Sequence, residues 1–194
     1  MADPSYINAA TGVLTDGEAW VALGSTTLGG SAAVVTFTST DDGQVGDFSQ
    51  YMDLVVVWYA RSDRASTNND FIVQFNNDTS SNYPIQLLSG SGAAANAYAA
   101  TNTFAYMGDL PAASSPANHM SAGVATFFDV NSGKYKSVLA QSAKDDDGSG
   151  YVSLFAATWK SQAPITEIDL IASGNNLVAG THIDLFGVLP RMVA

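Results

Sequence analysis

Residues 51–90 constrain the fold more than any other part of the chain, because they indicate three β-strands separated by two polar loops. Residues 54–59 form a continuous β-branched and aromatic run, which is typical of a strand buried on both faces. In residues 71–76, Phe, Val and Phe recur at every second position, the period of a strand with one face in a core. The intervening loop, residues 61–70, is polar apart from one alanine. Such a block predicts an all-β protein.

The rest of the chain repeats this pattern of short strands and turns. The low-complexity stretch SGSGAAANAYAATNT at residues 89–103 is interpreted as a loop, with a helix in its alanine run as the alternative. Prolines place a second loop at 109–118, and hairpin turns are expected at 131–133 and 144–150. Further strands are predicted at residues 18–23, 32–38, 102–107, 122–130, 135–142, 151–159, 165–172 and 181–188. This series of short strands and turns favours an antiparallel β-sandwich of the jelly-roll type.

Composition excludes several kinds of partner. The net charge is −11, with 7 basic and 18 acidic residues, so contacts to nucleic-acid phosphates or to an anionic membrane surface are not expected. All but two of the acidic residues are Asp, which favours turns over helices. The chain has no Cys, which removes disulfides, thiol catalysis and zinc–thiolate sites. No secretory signal and no apolar run long enough to cross a membrane are recognised.

The sequence divides into an arm and one domain. Residues 1–16 are small and polar without periodicity, and we interpret them as an N-terminal arm, with a disordered tail as the alternative; residues 17–194 form the sandwich. If the arm docks on a neighbour, it must bury apolar groups to offset the entropy lost on ordering. The candidates for that interface are Tyr6, Ile7, Val13 and Leu14.

No motif predicts a chemical reaction. His119 and His182 lack metal-ligand spacing, and three consecutive Asp at 145–147 favour a hairpin turn over a calcium loop. No serine nucleophile elbow is present, and no spacing selects a pair of carboxylates. We therefore predict a protein that is not an enzyme, with no catalytic, cofactor-binding or metal-binding residues.

Loop residues provide the candidates for a ligand site. Four of them, in or beside the polar loops, are able to converge on a cation or a glycan, although side-chain capping of turns is the simpler interpretation. Two tyrosines near predicted loops are candidates for exposed contacts to a sugar. The six residues are Asp63, Asn69, Asp70, Asp78, Tyr83 and Tyr98.

Aromatic and basic residues lead to two structural expectations. Trp20, Trp58 and Trp159 lie within predicted strands and are expected in the core. Arg61 and Arg64 flank Asp63, and a local salt bridge is expected there.

Three segments carry a resemblance to a known family. They are STTLGGSAAVVTFTS at residues 25–39, YARSDRASTNNDFIVQFNNDTSSNY at 59–83, and LFAATWKSQAPITEIDLIASGNNLVAGTHIDLFGV at 154–188. Together they resemble a broad family of virion structural proteins of tailed bacteriophages, whose members are short, acidic and all-β. The resemblance implies a protein of the virion, assembled in the host cytoplasm and released by lysis, and it transfers no catalytic residues.

The resemblance leaves two roles open. The first is a capsid decoration, or cement, protein that packs on the particle surface against the major capsid protein or another virion protein. Such a protein is expected to form a homo-oligomer, and we favour a trimer. The alternative is a carbohydrate-binding module on a tail or fibre that recognises host surface glycans.

Overall fold

A computed structural model describes residues 20–189. The predicted arm at residues 1–16, with its candidate docking residues Tyr6, Ile7, Val13 and Leu14, lies outside the described residues. The described part begins at the first strand of the domain and ends just after its last.

Within residues 20–189 the chain forms twelve β-strands and one short 3₁₀ turn at Phe48–Gln50. All twelve strands have five to ten residues, as expected from the spacing of turn signals in the sequence. Their bounds are β1 Trp20–Thr27, β2 Val34–Thr38, β3 Asp53–Ala60, β4 Asn68–Phe75, β5 Tyr83–Gly90, β6 Ala95–Asn102, β7 Ala105–Pro111, β8 Ser121–Phe128, β9 Lys136–Asp145, β10 Gly150–Trp159, β11 Glu167–Ala172 and β12 His182–Val188.

The strands build two antiparallel sheets of unequal width. The larger sheet has eight strands in the order β1-β12-β3-β8-β9-β10-β5-β6, and the smaller has four in the order β2-β11-β4-β7. The two sheets pack face to face, so the predicted antiparallel β-sandwich is confirmed. A jelly roll has two sheets of similar size, and that finer expectation is not confirmed.

Aromatic side chains fill the space between the sheets. Phe75 of the smaller sheet lies against Phe127 and Trp159 of the larger, with ring centroids 4.9 and 5.5 Å away. Trp58 packs against Phe71 in the same way, at 5.3 Å. The expectation of core tryptophans is confirmed for Trp58 and Trp159.

Trp20 differs from the other two tryptophans. It is 47% exposed at the start of β1, so its expected place in the core is wrong. Its ring lies on that of Phe186, 5.7 Å away on the neighbouring strand β12. Trp20 pairs with Val188 on the outward face of the larger sheet, whereas the next residue, Val21, faces inward and is buried.

Three loops differ from the sequence expectation. The stretch 89–103, interpreted as a loop, contains β6, which pairs with β5 residue for residue from Tyr83↔Asn102 to Gly90↔Ala95. Sheet pairing decides the conformation here, because alanine has little strand preference of its own. The polar loop that starts at Arg61 is shorter than predicted, since β4 begins at Asn68, and β7 continues to Pro111 before the next loop.

Candidate docking surface

The outward face of the larger sheet is the most unusual surface of the protein. Successive strand residues alternate between the faces of a sheet, so each cross-strand pair shares one face. One outward row runs through Ala97, Leu88, Leu154, Gln141 and Val124, each paired with the next across strands β6, β5, β10, β9 and β8. The apolar side chains in this row, Leu88, Leu154 and Val124, are of the types that usually occupy the inward face of a sandwich.

Large apolar side chains on this face are open to solvent. Val152 is 70% exposed, Leu88 57%, and Leu154 and Leu139 about 40% each. They lie on three neighbouring strands, so they form one patch rather than scattered single residues. A contiguous exposed apolar patch on a protein marks an interaction site more often than chance, whereas single exposed apolar residues are ordinary.

Small residues next to these side chains leave an open depression. In the row beside Leu154 and Leu88, Val152 lies between Gly90 and Ala143, and Ala122 follows on β8. The resulting hollow has a volume of about 950 Å³ and extends over five strands. A second hollow of about 630 Å³ lies further along the same strands, around Gln86, Ala99 and Thr158.

Charged side chains are nearly absent from this part of the sheet. The outward positions of β8, β9, β10, β5 and β6 hold no Lys, Arg, Glu or His, and their single Asp is Asp145, at the turn end of β9. The chain as a whole carries a charge of −11. Most of its acidic groups therefore lie elsewhere, and this face carries little charge that would repel another acidic protein. We call the outward face of β5, β8, β9 and β10 the docking surface.

The residues predicted as a ligand site do not converge. Asp63 accepts hydrogen bonds from the backbone N–H and the side-chain amide of Asn176, each at 2.8 Å. These bonds, the backbone one first, lower the pKa of Asp63. Tyr98 lies on β6 and is 53% exposed. Asp63 thus caps a loop through Asn176, whereas Tyr98 is part of the edge strand β6.

Asp78 and Tyr83 lie together but face the core. Tyr83 is fully buried, so its predicted role as an exposed contact is wrong. Its hydroxyl donates to the Asp78 backbone carbonyl and accepts from the Phe75 N–H, both at 3.1 Å. The Asp78 carboxylate accepts a 2.8 Å hydrogen bond from the indole N–H of Trp159. The turn and the core are therefore joined by structural hydrogen bonds.

Asn69 and Asp70 lie at the start of β4. Asn69 is buried, and its amide oxygen accepts from the Asp70 N–H at 3.0 Å and from Arg64 at 3.3 Å. Asp70 lies directly opposite Asp109 of β7 in the strand register. Burial first, and then the charge of Asp109, raise the pKa of Asp70, while Arg64 lowers it.

A polar cleft lies beside this carboxylate pair. It has a volume of about 490 Å³ and includes Asn68, Lys144, Asp146 and Tyr151 in its lining. The ammonium of Lys144 donates to Asp146 at 2.6 Å, and this ion pair is almost fully buried. The same ammonium lies 5.7 Å from the ring centre of Tyr151. Because its charge is already paired, Lys144 stabilises the turn between β9 and β10, which lies within the turn predicted at residues 144–150.

Arg61 holds the loop between β7 and β8 in shape. Its guanidinium donates to four backbone carbonyls, those of Ala112, Ser115, Pro116 and His119, at 2.7–2.9 Å. The expected salt bridge between the arginines and Asp63 is wrong, since the described residues contain no such ion pair. Backbone carbonyl oxygens accept hydrogen bonds from the N–H groups of a guanidinium, so Arg61 does not need a carboxylate partner.

The two histidines occupy unrelated places. His182 on β12 contacts Thr27 at 2.6 Å and Asp184 at 3.0 Å through its two ring nitrogens. His119 lies in the loop held by Arg61, and its Nδ1 is buried without a hydrogen-bond partner in the described part of the chain. Residues 20–189 contain no group of three or more His, Asp or Glu able to hold a metal ion. In the same range no helix is long and apolar enough to cross a membrane.

Comparison with known proteins adds no family. No protein-family model matches the chain. A search of curated proteins found no significant match.

Sequence reasoning identified the strands that carry the docking surface but not the surface itself. The alternation in residues 152–159 was visible, with Val152 and Leu154 on one side and Phe155 and Trp159 on the other. Both sides are apolar, so the sequence did not show which one faces solvent. The signal in the sequence is a strand with apolar residues on both faces, because only one of these faces can pack in the core of a two-sheet sandwich.

Proposed function

We propose that this protein is a structural subunit of a bacteriophage virion, most simply a capsid decoration protein, and that it packs on another virion protein through the docking surface. The observation that supports the proposal is the uncharged patch of Val152, Leu154 and Leu88 on an otherwise acidic protein. The resemblance of residues 25–39, 59–83 and 154–188 to phage virion proteins is the reason for proposing a phage particle as the assembly.

The physical argument starts from solvation. Leaving Val152, Leu154 and Leu88 in water costs free energy, and burying one such side chain fully stabilises a complex by about 1.5–3 kcal/mol. A partner that covers the patch gains from several of these at once, while the flat and rigid sheet loses little conformational entropy on binding. The major capsid protein or another virion protein is the partner we propose, with the arm at residues 1–16 as an additional contact.

The experiment is a cryo-electron microscopy map of the native particle that carries this protein. We expect density for the sandwich on the capsid lattice, with the outward face of β5, β8, β9 and β10 turned toward the shell. Density restricted to the tail or the fibres would overturn decoration and favour the glycan-binding alternative. Absence of the protein from purified particles would overturn a virion role altogether.

A matched pair of variants tests the surface itself. Val152→Lys with Leu154→Lys places two charges in the middle of the patch, and we expect loss of incorporation with the fold retained, because both side chains already face solvent. The control is Val34→Lys with Thr38→Lys, two exposed residues of β2 on the other sheet. If both variants enter particles equally well, the docking surface is wrong.

The glycan-binding alternative retains less support. Its aromatic platform required Tyr83 or Tyr98 beside the polar loops, and Tyr83 is buried in the core. Tyr98 remains exposed, so a glycan array probed with the wild type and with Tyr98→Ala tests what is left of the alternative. Glycan binding that is lost in Tyr98→Ala would favour the glycan-binding role over capsid decoration.

A further inference from the structure

The hairpin of β5 and β6 is free of charge over an unusual length. No Asp, Glu, Lys, Arg or His occurs from residue 79 to residue 108, although the whole chain has 13% charged residues. This segment contains β5, β6 and the first part of β7. Strand β6 ends the larger sheet, so one row of its backbone N–H and C=O groups has no neighbouring strand within residues 20–189.

The other three sheet edges carry features that discourage pairing with another chain. The register of β1 shifts between Ala22 and Gly24, which marks a β-bulge. Strand β2 has only five residues. Strand β7 has a register shift opposite Phe71 and Ile72, and it also carries Asp109 and Pro111. Bulges, short strands, charges and prolines are the usual protections of exposed edges.

Strand β6 has none of these protections. Its eight residues pair with β5 without any register shift, and its sequence ANAYAATN contains neither proline nor charge. Every residue from Ala95 to Ala99 is exposed. A long, regular and uncharged edge is a template for adding a strand from another chain.

We propose that β6 pairs antiparallel with β6 of a second copy of this chain, so that two eight-stranded sheets continue as one across a two-fold axis and the oligomer is a dimer rather than the trimer favoured from the sequence. Charge selects this contact: each copy carries −11, and the charge-free hairpin is where two copies approach with little repulsion. An isologous contact needs a patch that complements itself, and the small side chains of Ala97 and Ala99 leave room for their own copies.

Side-chain burial favours the same arrangement. Tyr98 pairs with Leu87, which packs against the core, so Tyr98 lies on the inward side of the sheet. Half of its surface is exposed in one chain. A second copy brings its own Tyr98 to the same side near the axis, and the two rings then cover each other. This inference rests on β6 alone and does not require the proposed virion role.

The first test is sedimentation equilibrium of the full chain. We expect a mass twice that of the chain, and a return to the mass of one chain in Ala97→Lys with Ala99→Lys, which adds charges to an edge without disturbing the core. The control, Val34→Lys with Thr38→Lys, adds the same charge to β2 and is expected to leave the dimer intact. A wild type that stays monomeric, or a dimer that survives the β6 variant, overturns the proposal.

The absence of cysteine allows a second test. In a two-fold antiparallel pair, a residue next to the axis faces its own copy at a distance that a disulfide can bridge. Single cysteines at Ala97, Tyr98 and Ala99 are each oxidised mildly, with Ser137→Cys on β9 as the control. We expect a covalent dimer at one of the β6 positions and little at the control; equal cross-linking at all four positions, or none at β6, refutes the pairing.

The two proposals fail separately. Val152→Lys with Leu154→Lys is expected to remain dimeric while losing incorporation into particles. Loss of the dimer in this variant would show that copies associate through the docking surface, which contradicts pairing through β6.

Discussion

Substitution of Gly123 by alanine tests the support beneath the docking surface. A Cβ atom at Gly123 would lie 2.1 Å from Cζ2 of Trp58 and 2.6 Å from the backbone oxygen of Gln141. Carbon atoms in contact prefer about 3.5–4.0 Å, so the indole would have to move by about 1.5 Å. Its other side is closed by Phe71, at 5.3 Å between ring centres, and by Gly108, where a Cβ would lie 3.1 Å from the same ring.

The cost of this substitution follows from the lack of room. Overpacking a core typically costs about 1–3 kcal/mol, and we expect the upper end, because the Gln141 oxygen belongs to a strand flanked on both sides by other strands. For a domain of this size about 3 kcal/mol lowers Tm by about 6–12 °C. Urea unfolding followed by circular dichroism gives the free energy, and a thermal scan gives Tm.

Gly30→Ala is the matched control. Nothing lies within 4 Å of a Cβ at Gly30. An alanine there is expected to change stability by about 0.5 kcal/mol or less. If Gly123→Ala is as stable as Gly30→Ala, the reasoning about a pinned Trp58 is refuted.

Two further predictions concern the loops. Arg61→Lys is expected to lower the free energy of unfolding by about 1–2 kcal/mol, because an ammonium lacks the planar fork with which the guanidinium donates to four carbonyls. Limited proteolysis should then cut within residues 112–119. A cleavage pattern like that of the wild type would contradict this role. Burial by itself would raise the pKa of Asp78, but hydrogen bonds from Asn82, Trp159 and Ser80 lower it to about 2 from 3.8. A carboxylate with a lowered folded-state pKa stabilises the protein above its unfolded pKa, and this contribution is lost as the pH falls through about 2. Asp78→Asn is therefore expected to lose about 1–2 kcal/mol at neutral pH, after allowance for solvent screening, and to show a flatter loss of stability in acid; parallel pH profiles of the two proteins would contradict the assignment.

The strands were largely predictable because their periodicity is local. Phe71, Val73 and Phe75 alternate in the sequence and face the core in the structure. The failure at β6 has a physical cause: Ala95–Asn102 has no apolar face of its own, and it is a strand because β5 offers it a complete row of partners. Such pairing between segments cannot be read from one segment alone.

The predicted ligand site failed for a related reason. Asp78 and Tyr83 were chosen because they lie in or near predicted loops, but a hydroxyl with two backbone partners can be buried at little cost. Trp20 failed in the opposite direction. A tryptophan in a strand was expected to be buried, yet Trp20 lies on the outward face of β1, and the sequence does not reveal which face of this strand packs against the other sheet.

The contacts of Arg61 have a consequence for how this protein can diversify. The guanidinium touches only carbonyl oxygens of the loop at residues 112–119, and every amino acid supplies the same oxygen. The path of the loop is therefore largely independent of which side chains it displays. Over generations the exposed positions between these anchors are free to acquire new surface chemistry, while one arginine, encoded some fifty positions earlier, keeps the shape constant.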